Sequence, residues 1–163
     1  MAAPCRSQER PTAQGPVVLG NGLNATASGV EVASTVTVTG KWQAHGSYSY
    51  LYKTFTRDPS SRDVTGGASE ANDPHHLLSL RSSADLPWRL ELDAHLRYVS
   101  SLPAPAVKAY TELAARLGWR PSDRWDVAFI GQNLLHDSHE EFASTTPREL
   151  FERSLSVRTG WRF

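Results

Sequence analysis

The chain has 163 residues, 39% of them hydrophobic, and its 17 Lys and Arg balance 17 Asp and Glu. A domain of this size can bury a core, but a neutral net charge gives no support for a nucleic-acid partner or an anionic membrane surface. Every apolar run falls short of the roughly 18 residues that a spanning helix needs, and the lone cysteine, Cys5, excludes an internal disulfide and a cysteine-rich metal site.

Residues 1–16 are polar and carry Pro4, Pro11 and Pro16. They read as a disordered or unrelated leader. Met1 to Arg6 contains no apolar run, so neither an export signal nor a lipidated cysteine is expected there.

Residues 17–163 read as one domain of seven strands, because side chains of alternating character point to opposite faces of a sheet. The first strand covers Gly29–Thr39, with Val30, Val32, Val36 and Val38 on one face. The second covers Lys41–Phe55, with Trp42, Ala44, Gly46, Tyr48, Tyr50 and Tyr52 on one face. The third, His75–Leu86, aligns Leu78, Leu80, Ala84 and Leu86. The fourth, Trp88–Val99, aligns Trp88, Leu90, Leu92, Ala94, Leu96 and Tyr98. The fifth, Ala109–Arg120, aligns Thr111, Leu113, Ala115, Leu117 and Trp119. Its start also fits a helical spacing, but the alternation continues through Trp119 and favours a strand. The sixth, Trp125–Leu135, aligns Trp125, Val127, Phe129 and Gly131, and the seventh, Arg153–Phe163, aligns Leu155, Val157, Thr159, Trp161 and Phe163.

None of these seven faces contains Asp, Glu, Lys or Arg. The opposite faces carry Glu31, Lys53, Arg81, Asp85, Glu91, Asp93, Arg97, Glu112, Arg116, Asp126 and Arg158 among others. A lipid-facing surface demands that exclusion, since a mid-membrane Lys or Arg costs about 2–4 kcal/mol. The inner face of a soluble sandwich demands it too. Links near Gly40, near Pro87 and over 121–124 are short; those over 56–74, 100–108 and 136–152 are long. Membrane barrels alternate short periplasmic turns with long external loops in this way. Trp42, Trp88 and Trp125 open strands after short links, and Trp119 and Trp161 close strands on the same side, forming one aromatic band. Tyr50, Tyr52, Phe55, Tyr98 and Tyr110 lie toward the other edge, as in a membrane girdle.

The fold expected is all-β: an antiparallel up-and-down meander of about seven strands, a partial transmembrane β-barrel. Two other readings stand beside it. One is a small eight-stranded outer-membrane barrel of structural or adhesive role, taking one more strand from about 15–23. The other is a soluble β-sandwich or lipocalin-like binder.

Motifs for chemistry are sparse. His136, His139 and Glu140 form the densest set of candidate metal ligands, but their spacing matches no zinc signature. His75 and His76 read as a strand entry. There is no Gly-x-Ser-x-Gly elbow, phosphate loop or dinucleotide fingerprint, so no catalytic residue and no cofactor is expected. Glu91, Asp93, Arg97 and Arg116 are expected to satisfy one another across neighbouring strands.

Several segments, in order, resemble one family. They are Asn21 with Gly29 and Glu31, Trp42 with Ser47 to Leu51, and Asp73-Pro74-His75-His76. Tyr110-Thr111-Glu112-Leu113, Leu117-Gly118-Trp119-Arg120, Gly131 to His136 and the closing Arg158 to Phe163 follow. Over about 21–163 the chain resembles the carboxy-terminal barrel portion of a TonB-dependent outer-membrane receptor. The resemblance implies import of a scarce nutrient, an iron chelate or cobalamin, in the outer membrane. It implies lipid as a partner and a terminal signal, Leu155, Val157, Trp161 and Phe163, read by the barrel-assembly machinery. It implies contact with the TonB energy-coupling system only through a plug domain, which this sequence lacks. The chain therefore reads as a fragment, and the resemblance leaves the ligand open.

Overall fold

The computed structural model describes residues 3–9, 18–61, 66–68, 71–103, 106–140 and 150–163. In chain order the strands are β1 (Ala3–Glu9), β2 (Val18–Thr39), β3 (Trp42–Arg57), β4 (His76–Leu86) and β5 (Leu90–Val99). Next come β6 (Leu102–Pro103), β7 (Ala106–Val107), β8 (Tyr110–Trp119) and β9 (Trp125–Gln132). The last are β10 (Ser138–Glu140), β11 (Leu150–Glu152) and β12 (Ser154–Trp161).

Eight strands form one sheet in the order β1-β2-β3-β4-β5-β8-β9-β12. Each pairs antiparallel with the next, so the sheet is the expected meander. The short pairs β6–β7 and β10–β11 are small ribbons inside two of the long links. The segment that also fitted a helix is strand β8.

Two differences from the sequence reading lie at the start. Ala3–Glu9, within the expected disordered leader, is a strand, paired from Ala3↔Ala25 to Glu9↔Val18. It is an edge strand, and an edge tolerates the missing N–H of Pro4. Residues 1–2 and 10–17 of the expected leader lie outside the described residues. The next strand begins at Val18, not Gly29, because backbone ladders on both sides hold a stretch that lacks apolar alternation. At about 3.3 Å per residue, the 22 residues of β2 reach far beyond a hydrocarbon core of about 30 Å. The β2–β3 hairpin thus stands tall on the long-link side. Gly29 is required in it, since a Cβ there would overlap the Tyr50 carbonyl oxygen.

The sheet is a single layer. Among the described residues, only Leu23, Val99, Val107 and Ala128 are buried apolar side chains. Leu155 is 78% exposed and Phe129 53%. A soluble sandwich would cover these with a second sheet; the described residues supply none, which removes the sandwich and lipocalin-like readings. An eighth strand is present, but β1 and β12 lie at opposite edges and do not pair with each other. The sheet is an open wall, not a closed small barrel.

Candidate functional site

The register makes the two faces continuous. Val32 faces Tyr48, Tyr48 faces Leu78, and Leu78 faces Tyr98. Further along, Leu92 faces Leu117, Leu117 faces Phe129, and Phe129 faces Val157. Directly opposite residues point to the same side, so the uncharged faces of β2 to β12 merge into one surface. Leu155 and Val157 lie on it, opposite Gly131 and Phe129.

Four tryptophans sit on that surface at the short-link end. Trp125 and Trp161 are opposite each other, with ring centroids 4.5 Å apart at 85°. Trp119 faces Leu90 and Val127. The Trp42 indole N–H donates to the Ser82 hydroxyl at 3.0 Å. Trp88 differs from its expected place as the first residue of a strand. It lies in the turn Pro87–Arg89 with φ 60°, followed by Arg89 at φ 61°, and is 84% exposed. Tight hairpin turns need left-handed residues to match the strand twist, and that need overrides the apparent alternation. Two residues of the second expected band lie on the other face, as the alternation along their strands requires. Phe55 pairs with Ala25, and Tyr110 pairs with Val99, on the charge-bearing side. Phe163 lies beyond β12 and is fully exposed.

The opposite face carries an ion-pair ladder. Arg97 grips Glu112 through Nε at 3.2 Å and Nη2 at 3.0 Å. Arg116 donates to Asp93 at 2.8 Å and Glu91 at 3.2 Å, and Arg120 also donates to Glu91. Ser83 donates to Asp93 at 2.6 Å. Of the four charges expected to satisfy one another, Glu91, Asp93 and Arg116 do so, while Arg97 is satisfied by Glu112 instead. The groups are partly exposed, so each pair contributes at most about 1 kcal/mol.

His139 is engaged differently from a metal ligand. Its ring stacks on Tyr110 at 4.4 Å and faces Phe151 at 6.1 Å. Its Nδ1 lies 3.1 Å from Asn133 Oδ1, and the Asn133 amide donates to the Phe151 carbonyl at 2.8 Å. Asn133 is only 2% exposed and left-handed at φ 52°, a conformation asparagine tolerates. These contacts, with Arg97 over the Tyr110 ring at 5.5 Å, tie the β10–β11 ribbon to the wall. Among the described residues, no three His, Cys, Asp or Glu come together as a metal site, so His136, His139 and Glu140 form no cluster. Sequence reasoning missed Asn133 and Phe151 here, because their link to Tyr110 exists only once β8, β9 and the ribbon are placed.

A family model described as TonB dependent receptor-like, beta-barrel, matches residues 8–134. The chain belongs to the TonB-dependent receptor family. The match starts at Gln8, inside the stretch read as an unrelated leader. Two solved receptor structures share the fold. The ferric yersiniabactin uptake receptor FyuA from Yersinia pestis superposes with a TM-score of 0.69 at 16% identity, over 90% of this chain and 25% of that one. The ferric-catecholate import receptor Fiu from K12 E. coli, in its closed form, gives 0.71 at 18% identity, over 96% and 24%. The chain thus spans about a quarter of the length of these receptors. No curated protein sequence matches it. Membership makes it an outer-membrane β-barrel segment. In such barrels short turns face the periplasm and long loops the exterior, so the tryptophan edge is periplasmic and the β10–β11 ribbon external.

Proposed function

We propose that this chain forms the carboxy-terminal wall, over about 17–163 with β1 added at its edge, of a receptor importing a scarce nutrient. The nutrient is of the iron-chelate or cobalamin type, and the wall does not transport alone. The observation that carries this reading is the unbroken uncharged face running from β2 to β12. A wall in lipid needs such a surface, with charges confined to the lumen side. Both structural relatives are named as receptors for ferric chelates, which favours iron chelates over cobalamin.

The parts divide the work. The uncharged face contacts outer-membrane lipid. Trp42, Trp119, Trp125 and Trp161, with Trp88 in its turn, anchor the periplasmic interface. Leu155, Val157, Trp161 and Phe163 present the terminal strand to the assembly machinery. TonB acts through the plug domain of such a receptor, not through this wall. No step of bond chemistry is assigned to the chain, and its role is passage, not catalysis. The test is growth of cells on a ferric chelate as sole iron source, with and without the gene carrying this segment. Loss of growth on deletion, restored by the gene, supports the reading; unchanged growth on every ferric chelate and on cobalamin-limited medium removes it.

A further inference from the structure

We propose that His45, Arg81 and His95 form a binding site for one carboxylate on the lumen face of the wall. The register places His45 opposite Arg81 and Arg81 opposite His95, so three strands contribute one lateral row. Directly opposed side chains have Cβ atoms about 5 Å apart, close enough for one small anion to touch all three.

This row differs from its neighbours in having no acid. In the row toward the periplasm, Asp93 faces Arg116, and in the row toward the exterior, Arg97 faces Glu112. Both are compensated by the ion pairs already described. Arg81 makes no ion pair or hydrogen bond among the described residues. Each imidazole is held by a hydroxyl, that of His45 on the strand away from Arg81 and that of His95 on the strand that carries Arg81. His45 Nδ1 lies 2.9 Å from the Thr35 hydroxyl, and His95 Nε2 lies 2.9 Å from the Ser79 hydroxyl. That leaves His45 Nε2 and His95 Nδ1 without a hydrogen bond among the described residues.

Space exists for a ligand. A cavity of about 440 Å³ opens over the row, lined by Thr35, Gln43, His45, Arg81, Asp93 and His95 among others. Asp93 lines the cavity, where Arg116 and Ser83 already hold it, and Glu112, which acts electrostatically on His95, is held by Arg97. The site therefore offers one uncommitted fixed charge, the Arg81 guanidinium, whose planar fork matches a carboxylate. One charge suits a monoanionic carboxylate better than a dianionic phosphate, which Asp93 would repel. The carboxylate comes either from a free small acid in the lumen or from an Asp or Glu side chain of a polypeptide segment lying in it. The inference does not depend on what the receptor imports.

The test is NMR of the full chain in detergent micelles, following arginine guanidinium resonances during titration with acetate or with N-acetyl-aspartyl amide. Wild type is expected to give a saturable shift of one arginine. R81Q should remove that signal and weaken binding about tenfold, the loss of a charge-assisted contact. R158Q, on the same face at the edge strand, should bind as wild type. H45N with H95N should bind more weakly while keeping the Arg81 signal. An unchanged backbone spectrum in each variant excludes misfolding as the cause. Tighter binding of the aspartyl amide assigns the carboxylate to a protein side chain, and tighter acetate binding assigns it to a free acid. Shifts that grow linearly with salt, or equal binding by R81Q, overturn the site.

Discussion

Trp125 and Trp161 face each other across β9 and β12, ring centroids 4.5 Å apart and planes at 85°. An edge-to-face pair of this kind adds about 0.5–1.5 kcal/mol beyond simple burial. A double-mutant cycle with W125A and W161A, read by denaturant unfolding in detergent, should return a coupling in that range. A coupling indistinguishable from zero would mean that the two rings act only as separate interface anchors.

Phe129 and Ile130 are neighbours in sequence on opposite faces of the wall. F129R places a charge on the uncharged surface and should cost about 2–4 kcal/mol. I130R, on the ion-pair side, should cost far less. Outer-membrane yield of the two variants in the receptor separates them. Equal yields would contradict a lipid-facing assignment for Phe129.

Trp88 holds a left-handed backbone at φ 60° without being glycine. That conformation costs an ordinary residue roughly 1–2 kcal/mol. W88G should therefore raise resistance to unfolding by about 1 kcal/mol if the indole serves only as an interface anchor of small energy. A drop in stability would show that the Trp88 side chain contributes more at the periplasmic turn than its backbone strain costs.

Asp58 follows β3 in an external loop, where its carboxylate accepts the Ser60 hydroxyl and the Ser60 backbone N–H, the latter at 2.8 Å. These bonds, the hydroxyl first, hold its pKa below the ordinary value. A lowered carboxyl pKa means that the turn gains stability wherever Asp58 is charged above its unfolded value. That gain disappears as pH falls through the lowered folded value. S60A should move the Asp58 titration, followed by carboxyl carbon NMR, back toward the usual aspartate range near about 3.9. An unmoved titration would show that the Ser60 hydroxyl contributes nothing.

Phe163 lies beyond the last ladder pair, fully exposed. If the assembly machinery reads it, deleting it should lower the outer-membrane yield of the receptor several-fold, with little change in the stability of whatever folds. Immunoblots of membrane fractions would show this, and an unchanged yield would assign Phe163 no part in assembly.

Alternation along single strands already specifies much of this protein. The positions of β3, β4, β5, β8, β9 and β12, the uncharged face, the short and long links and four of the five tryptophan positions follow from a period of two. That signal is local, because each side chain's face depends only on its own strand. The hairpin register of β4 and β5 is also within reach of the sequence. Leu86 pairs with Leu90, and counting outward brings Arg81 to His95.

Tertiary pairing fixes what depends on partners distant in sequence. β1 and the first third of β2 carry no apolar rhythm and become strands only through backbone pairing with each other and with β3. Trp88 leaves its strand because closing a tight turn outweighs continuing an alternation. Asn133, His139 and Phe151 meet Tyr110 only when the external ribbon folds onto the wall. His45 reaches Arg81 across the long β3–β4 link, whose length leaves the register unspecified until the apolar faces of the two strands are aligned.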